Sequence, residues 1–372
     1  MKIAIITISI LSFFVFNTPS TFRFAESKSI INPDSSVTIS ISVVGDLMCH
    51  SPQFEYAKVG KDSFDFSPVY RNVKKYLEKS DFTFGNLETV TAGKESGGYT
   101  GYPFFNTPSS YITALKEVGF DLLVTANNHS LDRSEKGILK TIDEINSRNL
   151  NYVGTYTSQQ DRDSIRIFDV KGIKIAILAY SYGTNGNPIP KGKNYLINLI
   201  DYYLIEKDIQ SAKANGGELV LVHFHFGEEY KREPVQFQKD VVNKTIELGA
   251  DIIIGGHPHV LQPVDFYKTN NAKLDSGFVA YSMGNFFSNQ QDRYKYSGMI
   301  LTINIKKDFA KNKFDITEVK YLPTWVFKGN TANRKEFVIM PSTNIADTTI
   351  SISKSESVKM IQSFDDTRYI IT

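Results

Sequence analysis

Six histidines occur in the 372 residues, at 50, 129, 223, 225, 257 and 259. Each stands at or just after the end of a strand-like apolar run, beside Gly, Asn, Asp or Pro. Neutral imidazole is the commonest metal ligand, and one such residue alone is more simply a structural histidine; six in the same setting point to a metal site. His223 and His225 are two apart on a strand and should share a face, and His257-Pro258-His259 repeats that spacing in a Gly-rich turn. Asp46 follows Gly45, Asn86 and Glu88 follow Gly85, and Asn127-Asn128-His129 follows DLLVT, so carboxylates and amides join the imidazoles. Oxygen and imidazole donors without thiolate suit Mn, Fe, Zn or Mg-like ions. Two ions about 3.5–4 Å apart would clamp a transferring phosphoryl group, and a free imidazole next to an amide ligand suits protonation of the leaving oxygen.

Such side chains meet only if strand ends converge. TISISVV (38–44), 82–84, 121–125, 173–180, 219–222 and 251–254 read as strands, separated by helix-like windows at 68–79, 108–118, 134–148, 200–214 and 234–248. Further strands are expected over 277–286, 297–305 and 315–326. Alternation of strand and helix predicts an α/β architecture with ligands at the carboxyl ends of strands.

Composition narrows the function. Lys and Arg total 42 against 40 acids, a net charge of +2, so no nucleic-acid partner is expected. Cys49 is the single cysteine, which excludes a disulfide framework and a thiolate cluster. The start, Lys2 followed by an apolar run to Phe16 and then Asn-Thr-Pro-Ser, predicts a signal peptide over 1–25, with a membrane anchor as the alternative. Its removal would take Lys2 and Arg23 and no acid, leaving an electrically balanced chain that works outside the cytoplasm. The expected organisation is signal 1–25, linker 26–37, main domain 38–330, and a C-terminal extension 331–372 without chemistry and with one helix near 351–363.

GDLM (45–48), GNLE (85–88), ANNHSLD (126–132), HFGEEY (225–230), GHPHVLQP (256–263) and YSMGNF (281–286) occur in the order found in the bacterial capsule-synthesis family CapA, also called PgsA or PGA-cap, which the chain resembles. The resemblance implies a four-layered α/β/β/α sandwich like that of calcineurin-like metallophosphoesterases. It implies two divalent ions held by Asp46, Glu88, Asn128, His225, His257 and His259, with Glu88 bridging and His129 as general acid. Asn86, Glu229 and Asn285 match motif positions with supporting roles. Phe226 stands where the family usually has Trp. Cys49-His50 replaces a usual Leu-Gly, and His223 is extra, which makes His50 and His223 candidate additional ligands.

The resemblance implies a secreted or envelope-bound metal-dependent hydrolase or transferase in biosynthesis or export of a poly-gamma-glutamate-like polymer. Its partners would be that anionic polymer or its precursor and membrane proteins of a capsule complex. A non-catalytic export scaffold and a secreted phosphoesterase or nucleotidase are the alternatives.

Overall fold

A computed structural model of the chain describes residues 36–330, 334–342 and 352–371. The expected signal at 1–25 and most of the expected linker lie outside the described residues. Among the described residues, no helix is long and apolar enough to cross a membrane.

The strands are β1 (Ser36–Leu47), β2 (Phe82–Leu87), β3 (Leu122–Val124), β4 (Asn151–Val153), β5 (Ile167–Val170), β6 (Ile173–Ser181), β7 (Leu219–His225), β8 (Ile252–Gly256), β9 (Val264–Lys268), β10 (Ser276–Ala280), β11 (Asn285–Phe287), β12 (Ser297–Asp308), β13 (Lys313–Asn330) and β14 (Lys335–Pro341). The helices are α1 (Ser51–Ala57), α2 (Lys74–Leu77), α3 (Ser110–Glu117), α4 (Ser134–Asn146), α5 (Gln159–Asp163), α6 (Tyr202–Ala214), α7 (Gln236–Leu248) and α8 (Lys354–Ile371). One sheet has the order β14-β13-β12-β1-β2-β3-β4 with β11 also on β1, and the other runs β5-β6-β7-β8-β10-β9.

Side-chain parity stacks these sheets. Ile39, Ile41 and Val43 of β1, Phe82 and Phe84 of β2, Ile175 and Ile177 of β6, Leu219 and Leu221 of β7, and Ile252 and Ile254 of β8 all enter one shared core between the sheets. The intervening residues face outward. Val44 and Leu123 pack under Phe54, Leu77, Tyr111 and Leu115, while Val220, Val222 and Ile253 pack under Ile205, Ile209, Val241 and Val242. The result is the expected α/β/β/α sandwich. Because β1-β2-β3 and β6-β7-β8 are parallel, the strand ends of each sheet emerge at one edge.

The same parity carries the polar residues inward. Glu88 continues the inward series of Phe82, Phe84 and Asn86, and His223 and His225 continue that of Leu219 and Leu221. Asp46 does not follow from alternation, since it shares parity with outward Val44. A bulge resolves this: the β1–β2 register shifts between Val44 and Asp46, leaving Gly45 as the extra residue and turning the chain before Asp46. Only glycine fits there, because a Cβ at 45 would collide with Gly284 O and lie 2.7 Å from Met283 O.

Several elements depart from the pattern read in the sequence. The window 68–79 holds a 3₁₀ turn (Ser67–Tyr70) and the short α2, since either arrangement buries Val69, Tyr70, Val73 and Leu77. The run 277–286 divides between β10 and β11, which belong to different sheets. Beyond the expected boundary at 330, β14 pairs with β13 from Thr324↔Pro341 to Asn330↔Lys335, continuing the first sheet. The terminal helix spans 354–371 and buries Met360 with Trp325, Phe327, Val338 and Met340. Its apolar residues were too widely spaced among polar ones to reveal this cluster.

Gly45→Ala should destabilise the protein by about 3 kcal/mol, the upper part of the overpacking range, because the added methyl meets backbone that cannot rotate away. Urea unfolding measures this, and an unchanged midpoint would refute the bulge argument.

Candidate functional site

At the shared edge, Asp46 and Glu88 from the first sheet face His225, His257 and His259 from the second, and all five are buried. Asp46 organises the group. Its Oδ1 accepts from Asn86 Nδ2 at 2.8 Å, and its Oδ2 accepts from His259 Nδ1 at 3.1 Å and the His257 backbone N–H at 3.2 Å. His257 and His259 have φ of 95° and 57°, a region costly for side-chain-bearing residues and frequent at functional sites. The Asp46 contacts hold both. Asn285, paired with Asp46 across β1–β11, donates through Nδ2 to His259 O at 3.3 Å and to Lys295 O at 2.8 Å, supporting the turn from outside.

Glu88 is the centre of the arrangement. Its Oε1 lies 3.5 Å from His225 Nε2 and 3.7 Å from His259 Nε2, yet neither oxygen has a hydrogen-bond partner among the described residues. Buried carboxylate oxygens are rarely left so. Donor atoms of Glu88, His225 and His257 lie within 4.8 Å of one another, as do those of Asp46, Glu88 and His259. Asn128 Oδ1, 2.8 Å from His225 Nε2, adds an amide to the first group. The two sets share Glu88, and their oxygen and imidazole donors fit divalent ions such as Mn, Fe or Zn.

The electrostatics agree with cation binding. Burial pushes Glu88 up to about 8, and the neighbouring Asp46 adds to this against the pull of His259. Burial would also raise Asp46, but the His259 hydrogen bond and the His259 and His225 charges hold its carboxyl below the usual range. His259 rises to about 9; burial opposes the shift and the Glu88 and Asp46 carboxylates outweigh it. Burial drives His225 down to about 3, keeping it neutral and able to donate a lone pair.

His129 stands at the edge of this group. Its Nδ1 donates to Asp132 Oδ2 at 2.7 Å, and Asp132 Oδ2 also accepts from Phe105 N–H at 2.7 Å. The carboxylate fixes the ring and leaves Nε2 facing Asn185 Nδ2 at 3.5 Å. Phe105 packs edge-on against the ring at 4.6 Å. Asn127 Nδ2 donates to Leu87 O and Asn86 Oδ1 at 2.8 and 3.1 Å, tying this loop to β2. Asp132 was visible in the ANNHSLD motif, but no spacing in one sequence separates an orienting carboxylate from a turn residue. Tyr182, whose ring centroid is 4.5 Å from that of His257, gave no signal at all.

Two candidates lie apart from these donor sets. His50 is the cap of α1: its backbone N–H donates to Gln53 Oε1 at 2.7 Å, and its ring packs on Phe105 at 5.2 Å. His223 lies two residues before His225 on the same face of β7, one inward position deeper, and burial lowers it to about 3. Glu229 is exposed, but its carboxylate groups with His257 and His259 within 4.8 Å.

Comparison with known proteins places this site in a family. A capsule biosynthesis protein CapA of Bacillus anthracis is 30% identical over 258 residues, covering 68% of this chain and 60% of that protein, so the chain spans less than two thirds of that relative. A PGA biosynthesis protein CapA of Bacillus subtilis is 27% identical, covering 77% of this chain and 72% of the relative. Among solved structures, the NAD nucleotidase of Haemophilus influenzae is 15% identical with a TM-score of 0.49, covering 91% of this chain and 64% of that one. A phosphatase of Mycoplasma pneumoniae is 14% identical with a TM-score of 0.46, covering 78% and 94%. The family profile described as bacterial capsule synthesis protein PGA_cap matches residues 40–290, which include both donor sets and His129, and the chain belongs to that family.

Proposed function

We propose that this chain is a metal-dependent hydrolase that works outside the cytoplasm on a phosphoester-like substrate in the making or export of an anionic, poly-gamma-glutamate-like surface polymer. The observation that carries the chemistry is Glu88, whose two buried oxygens, unpartnered among the described residues, are shared by two sets of oxygen and imidazole donors. The polymer is argued from the CapA relatives, whose names record capsule and PGA biosynthesis.

Asp46, Glu88 and His259 would hold one ion, and Glu88, Asn128, His225 and His257 the other. When bound, divalent ions supply Lewis-acid polarisation of the reacting oxygens and lower the pKa of an attacking water. The chain's own residues do the rest. Asn86 and Asn285 fix Asp46 and the His257–His259 turn, while Tyr182 covers the His257 ring. His129 carries a proton on Nε2 toward the leaving oxygen, and Asp132 holds its ring through Nδ1 in that orientation. Membrane proteins of a capsule assembly are the proposed partners. Residues 1–25 are proposed to direct export, and 38–341 to form the hydrolase body, with α8 fastened to it.

His129→Ala should keep its metal content and lower turnover on an unactivated phosphodiester by about 10²- to 10⁴-fold, the usual contribution of a general acid. The loss should shrink on p-nitrophenyl esters, whose leaving group needs no proton. Loss of metal would make His129 a ligand, and a capsule that survives His129→Ala but not Asp46→Asn would favour a non-catalytic scaffold.

Metal uptake should release protons at pH 7. Without ions, burial and the Asp46 charge hold Glu88 above the usual carboxylate range, and its carboxylate neighbours hold His259 above the usual imidazole range, so the pair keeps a proton at neutral pH that a ligand must give up. Affinity should therefore rise with pH, and proton release should fade above about pH 9 as the groups deprotonate unaided. Calorimetry in buffers of different ionisation enthalpy reads the proton count; none at pH 7 would refute this ligand set.

A further inference from the structure

The two donor sets are unequal. One holds three residues, Asp46, Glu88 and His259, while the other has Glu88, His225 and His257 with Asn128 beside it. Glu229 forms a third group with His257 and His259, its ligand atoms within 4.8 Å of theirs. An exposed carboxylate in a loop is usually a solvated charge, so its placement needs a cause. The cause is a braced backbone. Gly227 turns the chain with a φ of 112°, and the Tyr230 N–H donates to Pro258 O at 2.7 Å, between the two histidines. From behind, buried Gln262 donates to Lys231 O at 2.9 Å and is itself held by Gln238 Nε2 at 2.8 Å. The Arg232 guanidinium then donates to Asp366 O of α8 at 2.9 Å.

Asp46, Glu88 and Glu229 thus each group with His259, with no Lys or Arg ion pair to any of them among the described residues, while His257 Nδ1 is buried and unpartnered in the Glu229 group. Gathering acids around one histidine without a Lys or Arg partner favours a bound cation, which takes the place of the proton the site otherwise holds. We infer that Glu229 is the exchangeable ligand of this centre: it completes the poorer metal position from the solvent side and yields its place to an anionic oxygen of the substrate. The inference rests on the metal centre proposed above.

Manganese binding to the full chain tests it, counted by the electron paramagnetic resonance of free Mn²⁺ and by calorimetry. The wild type should take up two ions. Glu229→Gln should weaken the weaker step by at least about 10-fold, the low end for groups supporting a metal site, and leave the tighter step unchanged. Glu228→Gln, on the exposed neighbour, should alter neither, and an equal loss there would reduce Glu229 to a through-space charge and overturn ligation. At saturating Mn²⁺, inorganic phosphate should bind Glu229→Gln more tightly than wild type; weaker binding would overturn the displacement. Two ions with unchanged affinities in Glu229→Gln would overturn this inference and leave the metal centre standing, whereas a wild type that binds no Mn²⁺ would remove both.

Discussion

Asp46 and Glu88 are each 0% exposed, and much of the structure follows from keeping two carboxylates there. Removing one ionised carboxylate from water costs several kcal/mol even after relaxation, and a neighbour of like charge adds to it. No Lys or Arg pairs with either among the described residues, and the surrounding groups are imidazoles, most of them held neutral by burial. Divalent cations reconcile these terms, since they meet the unpartnered oxygens of Glu88 and use the imidazole lone pairs.

The sandwich makes that concentration of acid and imidazole sustainable. Parallel strands from both sheets end at one edge, so each contributes its last inward residues to a common space that the apolar core seals below. Precision comes from irregularities laid over this regular frame: the bulge at Gly45 that turns Asp46 inward, and the positive φ of His257 and His259 that Asp46 then stabilises. The strain of the turn and the burial of the acid support each other.

Support extends well beyond the donors. Arg293 forms a two-pronged pair with Asp366 of α8 at 2.8 and 3.0 Å, and Arg232 reaches the same helix turn while its guanidinium lies 4.3 Å from the Tyr294 ring. The C-terminal helix therefore fastens the two loops that frame the site, 227–233 and 289–296. The terminal helix thus positions loops that carry Glu229 and the support of Asn285.

The sequence by itself determined the alternating α/β order and offered the histidines, carboxylates and amides at strand ends as candidate donors, because strand-helix alternation and residue chemistry are local. Asp46, Glu88, Asn128, His225, His257 and His259, with His129 beside them, were legible as a set only through the order of the family motifs, not through parity. The motifs set His225 apart from the extra His223, and the tertiary structure gave the reason: two residues apart with the same parity, they differ in depth along the strand, and among the described residues His225 alone of the two joins a donor set. The tertiary structure alone showed His50 to be a helix cap and Asp132 to orient His129, and it alone split 277–286 between two sheets. Each of these depends on which distant backbone lies opposite, and that is decided when the sheets pack, not by any stretch of the chain read alone.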